Sequence, residues 1–484
     1  MDRSPGVPRL DEEDSTGWGD GALLPGKPLA PEIVPAHWRE RRLPSSSSDG
    51  VSADELLANW DPSGNNSTLY SLTELVVALG EKSTGQQSLV RGSKWQALFK
   101  QIADRAEALS FSPDDVVKIV DAFSKLDRDV PDYCLRRIGR YVRDVSAMFS
   151  SGQSISLLEG FGRLRRCPEG TVSNILADLS PVLYRQSGCE LTRCIVALSR
   201  LRDAPAGFIS EWTEAATAQQ ASFGTVQLGM SVRALGRLNA CPAPFTERSV
   251  SRIAADAQLV RGWVLGDALY ALGVHRLQHP DFDVLANTAQ TRVFNLDSLA
   301  FSSALFGIAV FDQDRAKQFF DSAYSQGAVP IPLRSDHLIN LCHTLVAIGM
   351  EIPEEYRDPL EREFQLRRVN PPEPSRFEQE FAEALTRRGR RFEAQSFMEG
   401  YFVDFVVHTG ASRMVGIELD GVRFHHINCD PRTELNGTSY MKDRFLERRG
   451  LEVVHLNDAT WATIRSDKVK TAALIEQLLG ARPA

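Results

Sequence analysis

The sequence predicts a mostly α-helical protein: an α-solenoid of helix-pair repeats of about 37 residues, followed by a small α/β domain. Three observations carry this. Between residues 67 and 366 one apolar helix pattern returns at a period near 37 residues. Repeats of that length cannot bury their apolar faces alone, so they stack. From residue 375 to 484 the period stops, and short β-branched and aromatic runs alternate with helical ones. Residues 1–66, by contrast, are rich in Pro, Gly, Ser and Asp, a composition that reads as an extended low-complexity tail.

The tail begins MDRSPGVPRLDEEDS, too acidic for an amphipathic, Arg-rich transit peptide. Targeting is therefore either unusual or encoded before this numbering starts. The repeats follow. Their pattern segments are 72–82, 116–128, 154–166, 191–203, 228–240, 264–276, 299–312 and 338–350. A small residue recurs in each, at Ala78, Ala122, Gly160, Ala197, Ala234, Ala271, Gly307 and Ala347, in steps of 44, 38, 37, 37, 37, 36 and 40. Small residues at one helical position let neighbouring helices approach closely. The stretches between, such as Trp95 to Leu109 and Gln313 to Tyr324, read as partner helices.

Several repeats carry cations beside or just past the small residue: Lys125 and Arg128; Arg163, Arg165 and Arg166; Arg200 and Arg202; Arg233 and Arg237. Stacking would align them as a basic ridge able to follow a single-stranded RNA backbone. The same cations also suit helix ends, where each is worth about 0.3–1 kcal/mol against the dipole. Positions 307–350 carry almost no equivalents. A Pro-broken joint, 366–374, leads to the C-terminal domain, where RRGRRF (Arg387, Arg388, Arg390, Arg391) is a dense candidate for phosphate contact.

Composition is ordinary for a globular chain, 43% hydrophobic and 24% charged, with a net charge of −8. An acidic total weighs against a broadly basic RNA binder and allows local basic stripes. No run of apolar residues is long enough to span a membrane. The seven cysteines are dispersed without a CxxC pair, which argues against zinc and for a reducing compartment.

The last domain reads as strand (401–407), strand (414–419), helix (439–449, stopped by Gly450) and strand (451–456), then Trp461 as core and a final helix from Asp467 to Leu479. Glu418 and Asp420, two apart on a strand, share one face, and Asp404 on the neighbouring strand joins them. Carboxylates so grouped need a cation among them. A divalent metal held by Asp404 and Glu418, with Lys442 or Arg444 supplying charge from the following helix, would make a phosphodiester site. Strand-end acids facing solvent are the plainer reading. His425 and His426 lie just past the strand, as a ligand, a base or simple loop residues.

The segment Ile417-Glu418-Leu419-Asp420-Gly421, with His425 or His426, Asn436-Gly437-Thr438, Lys442, Arg444, Leu446, Gly450, Val453 and Trp461, resembles the RAP domain, an RNA-binding domain abundant in apicomplexans. It is also similar to the PD-(D/E)xK endonuclease superfamily, in its very-short-patch-repair-like branch: Glu378 on a helix, Asp404 on the first strand, Glu418-x-Asp420 on the second. Asp420 stands where that superfamily has its Lys. The repeats resemble the heptatricopeptide or octotricopeptide arrays that precede RAP domains in organellar RNA proteins, a layout shared with Fas-activated serine/threonine kinase-like mitochondrial proteins.

The resemblance implies a restriction-endonuclease-like C-terminal fold and a mitochondrial location, or a plastid one. Three functions then compete. The chain binds RNA without turnover; or it is a metal-dependent endonuclease using Glu378, Asp404, Glu418, Asp420 and Lys442 with Mg²⁺; or it is a subunit of a large assembly such as the mitoribosome, contacting rRNA and neighbouring proteins. With the Lys missing from its usual place, we expect a non-catalytic RNA-associated component with no metal or other cofactor. Its RNA contacts are expected at Arg163, Arg165, Arg200, Arg237, Arg387, Arg388, Arg390, Arg391, Lys442 and Arg444.

Overall fold

Each of the eight pattern segments becomes a helix: α1 (Leu72–Lys82), α3 (Pro113–Lys125), α5 (Ser151–Leu164), α7 (Gly188–Leu201), α9 (Thr225–Arg237), α11 (Gly262–His275), α13 (Ser298–Phe311) and α15 (Ser335–Ala347). Between them run α2 (Ser93–Glu107), α4 (Asp132–Asp144), α6 (Thr171–Leu179), α8 (Ala206–Ala218), α10 (Ala243–Ala255), α12 (Phe282–Thr291), α14 (Gln313–Ser325) and α16 (Glu354–Arg368). The computed structural model describes residues 72–82, 93–126, 130–330, 335–369, 373–409, 413–421, 425–430 and 434–480. The low-complexity tail and Arg128 lie outside them. The chain divides into two units at Val51, and all of these helices belong to the unit from Ser52 on.

Local chemistry starts these helices in register. Ser112, Ser150 and Ser187 each cap a pattern helix, accepting from the backbone N–H three residues on, and Asp115, Gln153 and Glu190 complete the capping boxes. Each cap stabilises its helix by about 1 kcal/mol. The pattern helices pack on one another in chain order, α1 on α3 through to α13 on α15. Small residues set the approach. A Cβ on Gly162 would come 2.9 Å from the Ala197 carbonyl oxygen, and one on Gly307 would collide with the Leu269 backbone. Among the partner helices, α2 packs on α4, α4 on α6 and α8 on α10.

The C-terminal part adds α17 (Arg376–Arg387), β1 (Phe392–Met398), β2 (Tyr401–His408), β3 (Met414–Asp420), α18 (Gly437–Arg448), β4 (Glu452–Asn457), α19 (Asp458–Ile464) and α20 (Lys468–Leu478). The sheet order is β1-β2-β3-β4; the first three strands are antiparallel, and β4 runs parallel to β3 after the α18 crossover. Strand β1 carries no clean alternation, and Gln395 within it has φ +50°, so the sequence gives it little strand signal.

Two apolar cores sandwich this sheet. Phe405, Val407, Val415, Ile417 and Leu419 meet Phe381, Leu385, Trp461 and Ile475 on one side. On the other, Val403, Val406, Met441, Phe445, Leu446 and Leu451 belong to the same continuous core as the repeat helices. Helix α18 packs on α15, α11 and α13, so it extends the row of pattern helices. Among the described residues no helix is long and apolar enough to cross a membrane.

Candidate nucleic-acid interface

The acid strand folds as its spacing dictates, with Glu418 and Asp420 on the face that looks at α18. Both are buried, 3% and 1% exposed. The β2–β3 ladder begins at Phe405 opposite Ile417. Beyond it, Asp404 turns its carboxylate into the gap and accepts from Leu419 N–H at 2.7 Å. Lys442 reaches from α18 to Glu418 at 2.7 Å and donates to the Phe402 carbonyl at 3.0 Å. The expected supply of positive charge from this helix is therefore met by Lys442. Arg444 goes elsewhere, donating to the Tyr440 hydroxyl at 3.0 Å and lying over its ring.

Asp420 is held by a residue that the sequence reasoning missed. His455 on β4 lies between two carboxylates, Nδ1 at 2.7 Å from Asp420 and Nε2 at 3.0 Å from Asp443. Burial alone would depress this imidazole; hydrogen bonds to the two acids outweigh it and push His455 up to about 10. His455 pairs with Glu418 in the parallel β3–β4 register, which the fold and not the local sequence supplies. His425 sits 3.5 Å from Asp420 and 3.0 Å from the Ser439 hydroxyl, and burial pulls its pKa down. Burial raises Asp404 to about 6 and Glu418 to about 7.

Glu378 closes the capping box of α17, taking the Ser375 N–H and hydroxyl, and its other oxygen accepts from Gln395. Gln395 also reaches Asp404, at 3.5 Å, and so bridges the two acids. The five endonuclease-type residues thus gather around the end of β3, with Gln395 shared by Glu378 and Asp404, Lys442 on Glu418 and His455 on Asp420. Among the described residues no three His, Cys, Asp or Glu side chains converge to hold a metal. Mg²⁺ requires several oxygens around one point, and this arrangement does not fit it.

The candidate RNA contacts separate by how their charge is spent. Arg163 pairs with Asp121 and donates to Ser124 at 3.0 Å. Arg388 and Arg390 grip Glu476 on α20 at 3.3 and 2.5 Å, and Arg387 pairs along its own helix with Glu383. Arg391 is exposed, whereas Lys442 is committed to Glu418. Arg200 is half-buried. Arg165, Arg202 and Arg237 are exposed and converge at the C-terminal ends of α5, α7 and α9. Partial desolvation, then the neighbouring charges of Arg233, Arg202 and Arg165, hold Arg237 below the ordinary arginine range, though Tyr270 opposes this. Arg233 is fixed beneath them by Asp267 at 2.7 Å and Ser303 at 3.0 Å, over the Tyr270 ring at 4.7 Å.

No family model matches the chain, and no curated protein matches it. The reading of this surface therefore stands on its own residues.

One further contact was not legible in the sequence. Residues 426–430 and 434–440 dock on the ends of α9 and α11. Asn239 donates to the His426 carbonyl and accepts from Asn436 at 3.3 Å, and its backbone carbonyl accepts from Asn428 N–H at 3.1 Å. Arg276 pairs with Glu434 at 2.6 Å, donates to the Leu435 carbonyl at 3.4 Å and stacks on Tyr440 at 4.6 Å. These groups lie far apart in the chain, so no local pattern announces them.

Proposed function

We propose that the protein binds RNA through its stacked repeats, as a non-catalytic component of a mitochondrial ribonucleoprotein assembly such as the mitoribosome. In this reading the pattern helices form an α-solenoid, and the C-terminal domain is a RAP-like unit on an endonuclease-like scaffold that serves as a docked module. The observation that carries it is the convergence of Arg165, Arg202 and Arg237, all exposed, at the C-terminal ends of three successive pattern helices. Like charges gathered at a surface repel, and a polyanion relieves that repulsion. An acidic chain that concentrates cations there uses them locally. The organelle and the ribosome rest on the resemblance of the repeats and the Glu418–Trp461 segment to organellar RNA proteins.

The non-catalytic reading is supported by the acids themselves. Glu418 and Asp420 are buried against Lys442 and His455, so a phosphodiester would have to break two internal ion pairs to reach them. The test is sedimentation of native organelle lysate with and without RNase. Co-migration with a large particle that collapses on RNase treatment is expected. Migration as a free protein in both samples would contradict membership of an assembly.

A further inference from the structure

The turns that lead into the pattern helices carry a second periodic signal. Leu109, Met148, Tyr184, Ala221, Leu259 and Phe294 follow one another in steps of 39, 36, 37, 38 and 35 residues. Each lies two or three residues before the N-cap of its pattern helix. Five of the six are large apolar side chains, and each of those is half exposed or more, up to 69% at Leu259. Among the described residues eleven large apolar side chains are exposed, so nearly half of them fall on this one repeat position. The same turns bury a neighbour, such as Leu183 beside Tyr184 and Val260 beside Leu259. The core is therefore served, and the bare residue has no folding role.

Because α3, α5, α7, α9, α11 and α13 pack on one another in order, these turns stand side by side and the six positions form the rungs of one ladder. It follows the edge where the pattern helices begin, opposite the edge where Arg165, Arg202 and Arg237 stand. Apolar surface that runs on in this way marks a protein–protein site. The charges agree. A phosphate chain needs cations in register with the repeat, and the turns 108–112, 145–150 and 219–224 contain no Lys or Arg. The exposed charges of the other turns are mixed: Arg185, Asp256 and Arg261, with Arg292 spent on the Ala257 and Val260 carbonyls and Asp297 on the cap of α13.

The spacing selects the partner's secondary structure. Packed helices lie about 8–10 Å apart. Seven residues of α-helix rise about 10.5 Å and return to the same face within about 20°. An extended strand covers that distance in about three residues, which sends successive anchors to opposite faces. At the fourth rung the ladder carries only Ala221, on the wall of a cleft of about 940 Å³ that Gln220, Arg248, Ser251 and His279 also line. A bulky side chain of the partner fits there.

We propose that this edge docks an amphipathic α-helix of a partner protein, with apolar residues seven apart seated on the rungs. Charges of both signs flank that stripe to meet Arg185, Asp256 and Arg261. This docking rests on the assembly reading above and not on the RNA one.

The test is an anisotropy titration of the full chain with a fluorescein-labelled helical peptide of about four heptads, made of Ala, Glu and Lys with leucine at every seventh residue. A scrambled peptide of the same composition is expected to bind about tenfold or more weakly. Met148→Asp/Leu259→Asp should weaken binding of the heptad peptide by about tenfold or more, with melting temperature and oligo(U) binding unchanged. Val469→Asp, equally exposed but away from the ladder, should bind as wild type does. Equal binding of the two peptides, or unchanged affinity in the folded double variant, would overturn the inference. So would loss of oligo(U) binding in that variant, which would give the edge to RNA. A wild-type dimer that the variant converts to monomer in analytical ultracentrifugation would overturn it in favour of a second copy. Wild type that ignores the peptide yet co-migrates with an RNase-sensitive particle in lysate would sink this docking alone, and free migration with peptide binding intact would sink the assembly reading alone.

Discussion

Arg387, Arg388, Arg390 and Arg391 crowd into a single turn, whereas Arg165, Arg202 and Arg237 are scattered over three repeats. By density the first group looks like the RNA site. In the folded chain Arg388 and Arg390 fasten α20 to the end of α17 through Glu476, and the scattered group shares one edge. Density along the sequence measures local charge. Periodicity matched to the repeat measures charge that stacking brings together. That contrast yields a graded set of tests.

The largest effect is expected where the C-terminal domain joins the repeats. Phe445 is buried against His343 of α15, at 4.8 Å, and Tyr401, at 5.2 Å. Phe445→Ala should cost about 3–5 kcal/mol. It should lower one cooperative melting transition, since sheet and helices share a core. Two separate transitions in calorimetry would show that the domain melts apart from the repeats.

Next comes the buried pair. Well above pH 7, where Glu418 ionises despite its raised pKa, Lys442→Met leaves that carboxylate unpaired at 3% exposure, with one oxygen already lacking a partner. Denaturant unfolding should register a loss of about 3–5 kcal/mol. Adding Glu418→Gln should recover most of it. A double variant no better than Lys442→Met would mean the lysine acts through its other contacts.

A smaller, pH-dependent effect follows from His455. Its folded pKa is raised above the unfolded value, so its stabilisation is complete below about pH 6.5 and is lost as pH rises through about 10. Melting temperature should fall across that window more steeply in wild type than in His455→Gln. Parallel curves would refute the Asp420–His455–Asp443 clamp. The smallest effect is expected at the dense cluster. Arg388→Ala/Arg390→Ala should cost about 0–1 kcal/mol and leave RNA affinity unchanged, whereas a substantial loss of RNA binding would reverse the comparison.

The parts of the fold legible in the sequence were those that repeat or are local. The eight pattern helices, the strands at 401–408 and 414–420, and the helix ended by Gly450 follow from apolar spacing, small residues and caps. Strand β1 escaped because its side chains alternate poorly and Gln395 bends it. At the acid cluster, the shared face of Glu418 and Asp420 was a consequence of period two, and the reach of Lys442 from the helix was foreseen. The roles of His455 and Asp443 depend on the register of a parallel strand that only the fold supplies. Ser375 and Glu378 form a capping box on α17, a local motif that the sequence reading of Glu378 did not weigh. The docking of residues 426–430 and 434–440 was invisible because its partners, Asn239 and Arg276, lie far off in the chain.

The central claim is that RNA lies along the edge that carries Arg165, Arg202 and Arg237 and not on the acid cluster or the dense basic turn. The most direct measurement is ultraviolet crosslinking of the full chain to RNA, followed by mass spectrometry of the crosslinked peptides. The account predicts crosslinks in peptides around Arg165, Arg202 and Arg237. Crosslinks confined to residues 387–391, or to the β3 strand around Glu418, would contradict it.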